Sequence, residues 1–145
     1  MNYYYKKQFT PRKPVRSFRD LEVYAKPLEC AVLIAKNLKP KLARLKYCFL
    51  ENMTNCSMSV PLLVAEAHSL RFSDFKMAVA TLEKAMQSCN KMIVYLEEAA
   101  GLYGAKIDVS FTEDMMRRYM DLRGKMFRLE KSWKKYHETN NFVQN

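Results

Sequence analysis

The sequence predicts an all-α protein, an antiparallel up-down four-helix bundle, and three observations lead there. Its 145 residues include only 3 glycines and 5 prolines. An all-β sandwich or barrel needs a turn about every 8–12 residues and cannot be built from so few turn-formers. Apolar residues make up 49% of the chain, enough for a core, and they recur at spacings of three and four. No Gly-rich phosphate loop opens a βαβ unit anywhere. The length is that of one domain. We place a basic arm at 1–16, the bundle at 17–138 and a frayed tail at 139–145.

The arm reads MNYYYKKQFTPRKPVR. Lys6, Lys7, Arg12, Lys13 and Arg16 lie in it without an acid, and Arg19 follows. Pro11 and Pro14 forbid a continuous helix. It reads either as a solvated tail or as an arm that docks on a polyanion or a neighbouring subunit. Tyr3, Tyr4, Tyr5 and Phe9 interleave with its bases and could stack on nucleobases or pack on a protomer.

Helix one is expected over 18–38. Ser17 offers an N-cap and Asp20 an acidic first turn. Leu21, Tyr24/Ala25, Leu28, Ala31/Val32, Ala35 and Leu38 form its stripe, with Pro27 inside and Pro40 as the stop. Helix two is expected over 41–70, with the stripe Leu42, Leu45, Phe49, Met53, Cys56, Val60, Leu63, Ala67 and Leu70. Pro61 interrupts its backbone ladder without breaking the stripe's phase, so a bend is expected there. Helix three, over 73–101, opens at Ser73-Asp74. It carries an a/d seam of Val79, Leu82, Met86, Cys89, Ile93, Leu96 and Ala100. Gly101 is the expected left-handed residue past its end. Helix four, over 111–137, opens on a Ser110-x-x-Glu113 capping box. Its stripe is Met115, Tyr119, Leu122, Met126, Leu129, Trp133 and Tyr136. Connections this short favour antiparallel neighbours.

The net charge is +10 and unevenly spread. Lys36, Lys39, Lys41, Arg44 and Lys46 straddle the turn between helices one and two, with no acid between Glu29 and Glu51. In helix four, Arg117, Arg118, Arg123, Lys125, Arg128, Lys131, Lys134 and Lys135 face only Asp121 and Glu130. Arg117, Lys125, Arg128, Lys131 and Lys135 fall close to one helical face. Such a surface attracts phosphate and binds nucleic acid with strong salt dependence. The bland alternative is a solvated face that keeps the protein soluble.

No catalytic constellation, metal-ligand spacing or cofactor motif is found, so a non-enzymatic role is expected. Cys30, Cys48, Cys56 and Cys89 stand singly and read as reduced, buried small hydrophobes rather than a zinc site or disulfide framework. Glu66 sits in the apolar run VPLLVAEA and would need a partner if buried; His68 follows it. No stretch reaches the roughly 18 apolar residues of a membrane helix, and Met1 to Arg19 has no apolar signal core. A soluble, cytoplasmic protein is expected.

Three stretches carry a resemblance. Ser17-Phe18-Arg19-Asp20-Leu21-Glu22-Val23-Tyr24 is similar to an opening Phe-x-x-Leu-x-Val/Ile-Tyr/Trp pattern. Ser59-Val60-Pro61-Leu62-Leu63-Val64-Ala65-Glu66-Ala67 is similar to a helix-two hallmark, Ser-Ile/Val-Pro-Ser-Asn-Ile-Ala-Glu-Gly. Phe75 through Gly101 resembles the same proteins' helix three. Over about 17–104 the chain resembles the four-helix-bundle proteins of intervening sequences in bacterial 23S ribosomal RNA genes. That family includes the accessory variability determinant (Avd) of diversity-generating retroelements. Pro61, Ala65 and Glu66 match its hallmark; Leu62, Leu63 and Ala67 depart from it. The resemblance implies a ring-like homopentamer. For the Avd branch it also implies a basic nucleic-acid-binding surface and partnership with a reverse transcriptase and template RNA in mutagenic cDNA synthesis. The alternative is an oligomeric scaffold for protein–protein interaction with no nucleic-acid role.

Overall fold

A computed structural model describes residues 15–143. They form four antiparallel helical rods joined by short turns, an all-α bundle. The first rod joins α1 (Glu22–Leu33) to α2 (Lys39–Arg44) through a wide π-turn at Ile34–Leu38. The others are α3 (Leu50–Leu70), α4 (Phe75–Tyr103) and α5 (Val109–Val143). α3 and α4 pack side by side, as do α4 and α5, and α1 closes the ring against α3 and α5. The arm over 1–14 lies outside the described residues. No helix among the described residues is long and apolar enough to cross a membrane.

The chain enters through a 3₁₀ turn, Phe18–Asp20. Ser17 accepts from the Arg19 N–H, and Asp20 accepts from the Arg16 and Ser17 N–H groups. The expected capping pair therefore caps this turn, and α1 starts after the extended Leu21.

Pro40 does not end the first helix. Its ring lacks an N–H and would strike the Lys36 carbonyl in a regular helix. The wide turn before it relieves that clash, with the Lys39 N–H bonding to the Ile34 carbonyl, and the helix continues to Arg44. The true stop is a Schellman-type end. The Tyr47 N–H bonds to the Leu42 carbonyl at 3.0 Å and the Lys46 N–H to the Ala43 carbonyl at 3.1 Å, with Lys46 at φ 59°. Leu42 and Leu45 thus belong to the first rod, not to helix two, and the turn covers Leu45 to Phe49. Tyr47 pins that turn. It is buried, meets Tyr103 edge-on at 6.2 Å and donates to the Tyr95 carbonyl; burial pushes its pKa up to about 12.

α3 runs unbroken through Pro61, which is buried. α4 starts two residues later than expected, because Asp74 rather than Ser73 accepts from the Met77 N–H at 3.1 Å. Gly101 lies inside α4, and Gly104 is the positive-φ residue at its end. α5 is capped by Asp108, which accepts from the Phe111 N–H at 3.0 Å, so Ser110 is a helical residue and not a cap. α5 reaches Val143, where a frayed tail was expected from 139.

The core is the set of inward stripes. Val23, Cys30, Ile34, Leu38 and Leu42 come from the first rod and Met53, Val60, Val64 and Ala67 from α3. Leu82, Ala85, Cys89, Met92, Leu96 and Ala99 come from α4, and Met115, Tyr119, Leu122 and Met126 from α5. Leu28, expected inside, is exposed. In α4 the seam's Leu82, Cys89 and Leu96 are buried. Its Val79, Met86, Ile93 and Ala100 are half-buried, because small Ala78, Ala85 and Ala99 take the centre line. Cys48 is exposed, contrary to expectation; Cys30 and Cys89 are buried and all four cysteines are free. Glu66 is exposed and needs no partner.

Candidate nucleic-acid interface

The continuation of the first rod past Pro40 builds the first basic site. Lys36 on the wide turn and Lys41 and Arg44 on α2 line one cleft of about 390 Å³ with Asn37, Pro40, Asp108 and Phe111. The one carboxylate there, Asp108, already accepts from the Phe111 backbone. Arg44 Nε donates to the Pro40 carbonyl at 3.3 Å, which lays its side chain back along the helix. Three cations at the start of a long helix favour an anion, and the Phe111 ring offers an apolar wall. Lys39 and Lys46 are exposed but do not line the cleft.

The second site is the outer face of α5. Arg117, Arg128, Lys131 and Lys135 are all exposed. At 3.6 residues per turn they fall within about 60° of one another. Among the described residues none of the four is ion-paired. Lys131 Nζ lies 4.7 Å above the Phe127 ring.

Arg118 and Lys125 do not belong to this face. Arg118 bonds Asp114 at 3.1 Å and Glu29 at 3.5 Å. Lys125 bonds Glu22 at 3.0 Å and Asp121 at 3.2 Å. Both ladders tie α5 to α1. Hydrogen bonds from Lys26 and Lys125 hold the Glu22 carboxyl below its usual range. These cations are neutralised within the fold and have little left for phosphate.

The cleft adds Asn37 and Phe111, which charge counting passes over. Phe111 carries no charge, and only the antiparallel return of α5 brings it beside the first rod. No known protein family, curated protein or solved structure matches the chain.

Proposed function

We propose that this protein is a non-enzymatic, nucleic-acid-binding accessory subunit. In this reading it assembles as a homo-oligomer, a pentamer, in the cytoplasm. There it joins the reverse transcriptase and template RNA of a diversity-generating retroelement and supports mutagenic cDNA synthesis. The observation that carries nucleic-acid binding is the unpaired basic surface: the Lys36–Lys41–Arg44 cleft and the Arg117–Arg128–Lys131–Lys135 face. The retroelement and the pentamer rest on the sequence resemblance alone.

The test is a light-scattering mass combined with binding to a labelled structured RNA over a salt series. Five chain masses and an affinity falling steeply with salt are expected. An oligomer with no RNA affinity would instead favour the scaffold reading, to which exposed Met58 and Leu62, one helical turn apart on α3, lend an apolar contact surface. A monomer would remove the support for the pentamer and for the resemblance behind it.

A further inference from the structure

The end of the bundle opposite the Lys36–Arg44 cleft carries a second concave site of different chemistry. Arg71 and Phe72 form the turn between α3 and α4. Trp133, Tyr136 and His137 share one face of α5 at spacings of three and four. The fold brings these five and Asn140 around one cleft of about 460 Å³, within the size range of ligand pockets. Phe72 is 72% exposed and Tyr136 57% exposed, with ring centroids 6.3 Å apart. Phe75 stacks flat on His137 at 3.9 Å, and the Trp133 ring stands 6.4 Å from His68.

Arg71 lies across this array. Its guanidinium carbon is 4.2 Å above the Phe72 ring. Its Nη1 donates to the His68 carbonyl at 2.6 Å and lies 3.1 Å from His68 Nδ1. Among the described residues no acidic side chain lines the cleft or pairs with Arg71. Burial disfavours its charge, so the site holds a cation whose counter-ion the fold does not supply. Exposed rings beside an unpaired guanidinium match one ligand group, a flat nucleobase with its phosphate. The basic arm of the chain itself is a poor occupant, since it would bring like charge to Arg71.

We infer that this cleft is a stacking site for a nucleobase of a single-stranded nucleic acid, with Phe72, Trp133 and Tyr136 contacting the base and Arg71 the adjoining phosphate. The inference rests on the reading of the protein as a nucleic-acid binder. It adds that single strands are preferred over duplex, because only an unpaired base can enter.

Trp133 is the chain's sole tryptophan, which makes the site directly visible. The full-length protein is titrated with a labelled oligouridylate, an abasic oligonucleotide of equal length and an RNA duplex. Binding is read by anisotropy and stacking by Trp133 fluorescence. All three should bind, and the oligouridylate alone should quench Trp133. Phe72→Ala and Tyr136→Ala replace exposed rings and should keep the fold. Each should weaken oligouridylate binding about tenfold with an unchanged salt slope, whereas Arg71→Gln should lower that slope by about 0.7. Oligouridylate binding without quenching, or quenching that survives Phe72→Ala and Tyr136→Ala, overturns the stacking site and leaves the basic surface standing. No binding by any of the three overturns both readings.

Discussion

Glu130 should make the protein less stable as pH rises. Its side chain is buried between α5 and α4, and its Oε1 has no hydrogen-bond partner among the described residues. Its Oε2 lies 3.8 Å from Lys134 Nζ, and the Glu83 carboxyl lies beside the group. Burial and the neighbouring Glu83 carboxylate raise its pKa above the ordinary range. A raised acid pKa means the folded state holds the proton more tightly than the unfolded chain does. The stability is therefore full below the unfolded value, about 4.3, and falls as pH rises through the folded value. Above that window the ionised group carries the cost of an unsatisfied buried oxygen, about 1–3 kcal/mol. Glu130→Gln removes the charge and offers Glu83 an amide donor, so it should recover that amount. For a bundle of this size about 1 kcal/mol corresponds to roughly 4 °C in Tm. The variant should thus melt roughly 4–12 °C higher at pH 7.5, with the difference shrinking towards pH 4. Thermal unfolding followed by circular dichroism across that range is the assay. A Glu130→Gln variant that melts lower at pH 7.5, or whose advantage persists undiminished at pH 4, would refute the assignment.

Tyr119 is fully buried with a hydroxyl that has no partner among the described residues. Tyr119→Phe should stabilise by about 1 kcal/mol, and a lower Tm would reveal a partner for that hydroxyl. Lys46 holds a left-handed conformation at φ 59°, which costs a non-glycine residue about 1–2 kcal/mol. After the added unfolded-state freedom of glycine, Lys46→Gly should gain about 0.5–1 kcal/mol, read as a higher urea midpoint with unchanged m. Reversing Arg128, Lys131 and Lys135 to Glu should leave helicity intact and reduce the salt slope of RNA binding by at least about 2; RNA affinity equal to wild type would move the site elsewhere. Lys125→Gln should leave that slope unchanged and cost no more than about 1 kcal/mol of stability.

Periodicity carried most of the fold. Met53, Val60 and Ala67, or Met115, Tyr119, Leu122 and Met126, are inside because apolar side chains at helical spacing have one face to share. The ends were harder to read, since neighbouring polar residues compete for the same backbone donors. Asp74 displaced Ser73 and Asp108 displaced Ser110. Pro40 misled because its steric cost can be relieved one turn earlier instead of ending the helix. On the candidate surface, Arg117, Arg128, Lys131 and Lys135 share one exposed face of α5, as their helical spacing indicates. Lys125, expected with them, is drawn instead to Glu22, 103 residues away in sequence, as well as to Asp121 one turn earlier. The Glu22 partner is invisible to charge patterning within one helix, whereas Asp121 is an i,i+4 neighbour of the kind such patterning shows. Glu66 shows the converse: an acid within an apolar run still points outward when the helical period turns it there.

The wide turn at Ile34–Leu38 also sets the phase of everything after it. Cys30, Ile34, Leu38 and Leu42 are all buried, although each follows the last by four. In a regular helix of 3.6 residues per turn, three such steps drift by about 120°. The underwound turn absorbs this drift and returns Leu42 to the core. In effect the rod contains one inserted residue. Deleting a single residue between positions 34 and 38 would restore a uniform helix and leave Leu42 eleven residues after Cys30, about 20° from it around the axis. Leu42 would keep to the core and Lys41 and Arg44 to the side of Phe111, but the Pro40 ring would again meet the carbonyl one turn before it. The wide turn is thus what lets the rod carry Pro40 and still keep the phase that builds the basic cleft, and the deletion would act through the proline's steric cost rather than through a change of facing.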